Sequence, residues 1–166
     1  MKTVGTCRVI DALRDWGSQG GAARMGREIV DVPEAVDRAL THYAPFVARI
    51  LAARPFGCVR AELFEGDISQ LQVHDRRPVQ VTTGLYSDSG DAGDRIRALV
   101  DSEAPVVGPL TCACRGARME SGGFGLHVPL LIFDGWHRAT AWALHQRAGR
   151  SYPISANIIV TEEEVA

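Results

Sequence analysis

One junction constrains the fold of this chain more than any other feature. The apolar run Val128-Pro129-Leu130-Leu131-Ile132-Phe133 stops at Asp134-Gly135, and a helix-forming stretch from Trp136 to Ala148 follows at once, closed by Gly149. An apolar run of that length reads as a buried strand, and a glycine just past the last periodic residue reads as a helix end. Pro153 to Val160 supplies a further apolar strand, and Pro105-Val106-Val107-Gly108-Pro109-Leu110 another run of strand length. Cys58 to Glu65 alternates imperfectly between turn residues and reads as a strand too. Strands interleaved with helical periods predict a mixed α/β fold. With 166 residues, 46% of them hydrophobic and 23% charged, one domain can bury a core without disulfides or metals.

The remaining segments fill in the organisation. Before Pro55 the texture is helical: from Val32, apolar residues recur at three- and four-residue steps as far as Leu51. Pro45 interrupts that pattern, so two helices are predicted, about Pro33 to His42 and Pro45 to Ala53. The glycine-rich Gly17 to Gly21 reads as a loop. The chain therefore divides into a helical extension, residues 1–54, and a mixed α/β domain, residues 55–166. Within the domain, Asp67 to Leu71 reads as a turn of helix or a strand lead-in, and Pro78 to Thr83 as a β-branched run. Ser87 to Gly93 reads as a loop, and Asp94 to Ser102 as a helix with Ile96, Leu99 and Val100 on one face. Arg115 to Gly125 makes a turn, read as a hairpin tip in preference to a lid over a ligand. Thr161 to Ala166 reads as an acidic tail.

A formal charge of −2 supplies no basic field for a polyanion, which argues against nucleic acid as a partner. No apolar run is long enough for a signal peptide or a membrane span, so a cytoplasmic protein is expected. Cys7, Cys58, Cys112 and Cys114 lack the paired clusters of a zinc site; Cys112 and Cys114 read as small thiols on alternate residues of a strand.

The chemistry concentrates in Asp134-Gly135-Trp136-His137-Arg138. Here a strand opens into a helix whose first N–H groups lack partners and whose dipole favours an anion. Gly135 permits a tight turn and close approach of a ligand; His137 and Arg138 add donors and charge. The plainer alternative makes Asp134 a helix cap and Arg138 a solvated cation. Trp136 and Trp142 read as packing or pocket wall, His127 as structural and His145 as a solvated helix residue.

The stretch from Leu130 to Phe133, the Asp134-Gly135-Trp136-His137-Arg138 turn, the small residues Ala139 and Ala141, and the Pro-led Tyr152 to Val160 strand together resemble the signature of the ParB/sulfiredoxin superfamily. The resemblance runs from about Pro55 to Thr161 and implies a small mixed sheet with flanking helices. Sulfiredoxins carry a reactive cysteine where this chain has Trp136, and partitioning ParB proteins carry a following DNA-binding domain that has no counterpart after Val160. The match is nearest to the Asp-Gly-His-His-Arg branch, which includes free-serine kinases, through Asp134, Gly135, His137 and Arg138. That likeness implies a nucleotide-dependent phosphotransferase, using ATP or ADP, with CTP as an alternative, and Mg²⁺, on a small hydroxyl compound such as an amino acid. It places Gly135, Trp136, His137, Arg138 and Thr140 against the nucleotide and gives Asp134 the metal and, with His137, the catalytic role. A carboxylate beyond the first strand is expected to face the acceptor; Asp75 is favoured over Glu62 and Glu65. A nucleotide-binding regulatory or partner-binding module is the alternative function, and a nuclease is disfavoured by the absence of a basic stripe. Assembly into a homo-oligomer is left open.

Overall fold

The computed structural model describes residues 1–16, 44–102, 104–120 and 123–165, with backbone alone for 117–120, 123 and 124. Six strands form the main sheet: β1 (Lys2–Cys7), β2 (Pro55–Leu63), β3 (Leu71–Val73), β4 (Leu110–Arg115), β7 (Leu130–Asp134) and β8 (Ile154–Thr161), in the order β1-β2-β8-β4-β7-β3. The β4/β8 and β3/β7 pairs are parallel and the others antiparallel. Strands β5 (Ala117–Glu120) and β6 (Gly123–Leu126) make a separate antiparallel hairpin where the sequence predicts a turn with a hairpin tip.

Helices cover both faces of the sheet, which explains why its central strands are apolar on successive residues. Val59, Ala61, Leu63, Leu110, Cys112, Leu130, Ile132, Ala156 and Ile158 point to one side, where they pack under α3 (Val79–Thr82) and α5 (Trp136–Arg147), with α4 (Asp91–Asp101) beside them. Cys58, Ala113, Leu131, Phe133 and Ile159 point to the other, against α1 (residues 9–16) and α2 (Ala44–Ala52). The mixed α/β class expected from the sequence is the class observed. Among the described residues no helix is long and apolar enough to cross a membrane.

Several local expectations are corrected. The start of the chain is not a helical extension: β1 is an edge strand paired with β2 from Lys2↔Glu62 to Cys7↔Cys58, and a disulfide joins that last pair. Half of β1 is exposed and its register depends on residues more than fifty positions away, so no local period announces it. The helix predicted from Pro45 to Ala53 is α2, whereas the predicted Pro33 to His42 helix and Gly17 to Gly21 loop lie outside the described residues. The apolar run from Pro105 contributes only its last residue to a strand. Gly108 takes a left-handed φ of 93°, Pro109 offers no N–H, and Val107 is 78% exposed. The β-branched run after Pro78 coils into α3, where the Thr82 hydroxyl donates to the Val79 carbonyl. Helix α4 starts at Asp91, inside the stretch read as a loop; a Cβ at Gly93 would strike the Asp88 carbonyl oxygen, so that glycine serves close approach within a helix. The acidic residues after β8 are tied down through Arg54 to Glu162 and Glu163 and through Arg76 to Glu164, and Val165 is buried.

Candidate functional site

Strand β7 is buried through Phe133 and emerges at Asp134. Gly135 then turns the chain with φ 84° and ψ 16°, a left-handed conformation that costs an L-residue with a side chain roughly 1–2 kcal/mol. It accepts the first α5 hydrogen bond, from Ala139 N–H at 2.9 Å. Space adds a second requirement. A Cβ at Gly135 would lie 2.7 Å from Arg138 Nη2, 2.9 Å from Arg138 Nε and 2.9 Å from Leu110 Cδ2, so the guanidinium is seated directly against the turn.

That guanidinium is held by the residue before the turn. Arg138 Nη2 donates to Asp134 Oδ2 at 2.8 Å, with each side chain 18% exposed. Arg138 is therefore ordered beside the helix N-terminus and is not the solvated cation of the plainer reading. His137 stacks on Trp136, ring centroids 3.7 Å apart. Burial, helped by Arg95 and Arg138 and opposed by Asp91, pushes the His137 ring down to about 4, so it is neutral near pH 7. Asp91 and Arg95 are an ion pair on the first turns of α4 at 3.0 Å, and their electrostatic reach to His137 places α4 beside the turn. Sequence reasoning assigned neither residue to the site, although Gly90 followed by Asp91 and Asp94 carries the signature of a helix start.

The other predicted residues divide. Thr140 is fully buried, its hydroxyl 2.8 Å from the Trp136 carbonyl and 2.7 Å from the Thr82 hydroxyl, so it braces α5 against α3 and does not reach a ligand surface. The parallel register Val73↔Ile132 brings the ends of β3 and β7 to the same edge of the sheet, and Asp75, just beyond β3, shares that edge with Asp134. No bond joins Asp75 to the turn among the described residues. Burial raises its carboxyl, but the Arg77 backbone N–H and guanidinium outweigh this and hold it below the usual carboxylate range. Glu62 lies 3.9 Å from Lys2, and Glu65 is exposed at the start of a 3₁₀ turn. His145 is buried, against expectation, with Nδ1 2.6 Å from the Tyr152 hydroxyl and Nε2 3.3 Å from the Val100 carbonyl. Cys112 and Cys114 are the buried strand thiols foreseen; burial pushes the latter up to about 12 and the former higher still, which makes both unreactive.

No group of three His, Cys, Asp or Glu side chains that could hold a metal is gathered among the described residues. Mg²⁺ is commonly held by one or two carboxylates together with substrate phosphates, and Asp134 meets that minimum by sharing its carboxylate with Arg138. The seat of Arg138 over Gly135 suits a phosphate better than it suits a bare cation, because donors face the helix N-terminus there.

The depressed His137 ring has a measurable consequence. An unfolded histidine takes up its proton near pH 6.5, while this one stays neutral to about 4. As pH falls through that window the unfolded chain binds the extra proton first, and stability drops. Between pH 7.5 and pH 5 the wild type should lose more melting temperature than a His137→Gln variant; parallel losses would place the ring in solvent. Compared with protein-family models, with curated proteins and with solved structures, the chain gives no match.

Proposed function

We propose that the chain is a nucleotide-dependent phosphotransferase acting on a small hydroxyl compound, an amino acid being the type implied by its resemblance to the free-serine kinase branch. The observation that carries this reading is the Arg138 guanidinium seated against left-handed Gly135 at the N-terminus of a twelve-residue helix. The first N–H groups of the helix, the positive end of its dipole and an oriented guanidinium converge there, the combination that binds phosphate.

Phosphoryl transfer is catalysed chiefly by positioning and by neutralising charge on the transferred group. In this reading the backbone N–H groups after Gly135 and the Arg138 fork take the phosphate oxygens of ATP or ADP, and Asp134 keeps the fork in plane. Neutral His137 donates one N–H to a phosphoryl oxygen without adding a charge to be desolvated. Mg²⁺, held by Asp134 and the nucleotide, would supply further charge neutralisation. Asp75, ionised and on the same edge, orients the acceptor hydroxyl; its lowered proton affinity suits a positioning group better than a strong base. The ion pairs Asp134–Arg138 and Asp75–Arg77 favour a second reading, in which nucleotide is bound and not turned over.

Titration calorimetry with ATP, ADP and CTP in the presence of Mg²⁺ tests the binding step. One of these nucleotides should bind, and Arg138→Gln should weaken it by about 1.5–3 kcal/mol, the worth of a hydrogen bond to a charged group. Unchanged affinity in a folded variant removes the site.

A further inference from the structure

A cavity of about 290 Å³ lies on the sheet face covered by α1 and α2, away from the Asp134–Arg138 turn. Its floor is one register row: Gln72 of β3 pairs with Leu131 of β7, which pairs with Ala113 of β4. Val128 and Pro129, which precede β7, continue the apolar wall, and the segment after β8 closes the side with Glu164 and buried Val165. The turn is reached from the opposite end of β7, and α5 packs on the opposite face. The Asp134–Arg138 turn and the cavity are therefore distinct, and the loop after β3, in which Asp75 precedes Arg76, runs between them.

The charges around this cavity are unbalanced. Two arginines, Arg76 and Arg115, line it against one acid, Glu164, with the ring of His127 also in the lining. Arg76 Nη1 donates to Glu164 Oε1 at 2.6 Å and Nη2 donates to the Val165 carbonyl at 3.2 Å. Arg115, electrostatically coupled to the same carboxylate, helps to hold Glu164 below its usual range. Arg76 occupies a position that normally goes to glycine or asparagine. It has φ 68° and closes the three-residue turn between Val73 and Arg77, whose backbones are hydrogen-bonded. A long cationic side chain at a left-handed turn position costs stability, and here its guanidinium reaches the cavity and is held there by Glu164 and the Val165 carbonyl.

We propose that this cavity is a second ligand site, for a small carboxylic acid with an apolar body, and that Glu164 occupies the carboxylate position until the ligand displaces it. The ligand carboxylate takes the Arg76 fork, Arg115 offsets the charge of the displaced Glu164, and the apolar body lies on Ala113, Val128 and Leu131. A carboxylate is favoured over a larger polyanion because the fork already donates to one carboxylate oxygen, and Ala113, Val128, Pro129 and Leu131 give one side of an otherwise polar lining an apolar surface.

The test is methyl-detected NMR of the full chain titrated with hexanoate and phenylacetate, with hexanamide and inorganic phosphate as controls. At least one acid should move the Ala113, Val128 and Leu131 methyl signals with an affinity of about millimolar, typical of so small a ligand. Hexanamide should leave them in place. Glu164→Gln removes the internal competitor and should tighten binding about three- to tenfold, while Arg76→Gln should weaken it about tenfold or more, as expected for a charge-assisted pair. If Arg76→Gln fails to fold, Arg115→Gln and Glu164→Gln decide alone: the first should weaken binding and the second strengthen it. Equal shifts from hexanamide, stronger shifts of the same methyls from phosphate, no response to any probe, or unchanged affinity in Glu164→Gln would each overturn the proposal.

Discussion

Trp142→Ala should cost about 3–5 kcal/mol, the range for truncating a fully buried aromatic side chain. Trp142 lies inside α5, wholly buried among Ala139, Ala143, Val106 and the sheet, and its Nε1 donates to the Tyr152 carbonyl at 2.9 Å. That carbonyl also accepts from Gln146 Nε2 at 2.8 Å, so truncation leaves a cavity without orphaning the acceptor. Because whole domains are stable by only about 5–15 kcal/mol, the variant should be marginal at 37 °C. Trp142→Phe, which keeps most of the volume, should lose less than half as much. Urea unfolding followed by circular dichroism measures both, and a loss under about 1 kcal/mol for the alanine variant would mean that α5 does not pack on the sheet as described.

The second large effect concerns turnover and rests on the phosphotransferase reading. His137→Ala should lower phosphoryl transfer by about 10²–10³, as removal of one preorganised donor does elsewhere, with little change in melting temperature, because no hydrogen bond of the fold to this ring is seen among the described residues. Asp134→Asn should lower the rate comparably and also cost about 1–3 kcal/mol of stability, since it takes the charge from the carboxylate that orders Arg138. The assay is release of nucleoside diphosphate or monophosphate with hydroxy amino acids as acceptors, run beside thermal unfolding. Nucleotide binding without turnover in the wild type would select the binding module, and wild-type rates in both folded variants would exclude a catalytic turn.

The junction from β7 into α5 was legible because its information is local: four apolar residues, a glycine where φ is positive, and a helix bounded by a second glycine. The strands β2 and β8 were legible for the same reason. What escaped depended on pairing at a distance. Nothing within Lys2 to Cys7 states that Glu62 to Cys58 will lie beside it. His145 looks solvated in a sequence that places it between Leu144 and Gln146, yet α5 is enclosed by the sheet, α3 and α4 and has no fully wet side, so the ring is buried against Tyr152 and Val100. Within the site, Arg138 and Asp134 were both identified from the sequence, but not the ion pair that joins them: it follows from four-residue spacing across a left-handed turn, a geometry that helix periodicity alone does not describe. Thr140 was misassigned for a related reason, since spacing puts it near the turn while the packing of α3 turns its hydroxyl inward.

The bond between Cys7 and Cys58, residues fifty-one apart in sequence, makes everything between them a covalent ring. Both α1 and α2 lie inside it, and so does the whole layer they contribute beneath Leu131 and Phe133. A protease that cuts the chain once between these cysteines opens the ring without releasing a piece. The two fragments travel as one molecule until a reductant parts them. Only then does the strand that borders the sheet become free to leave with whatever remains attached to it.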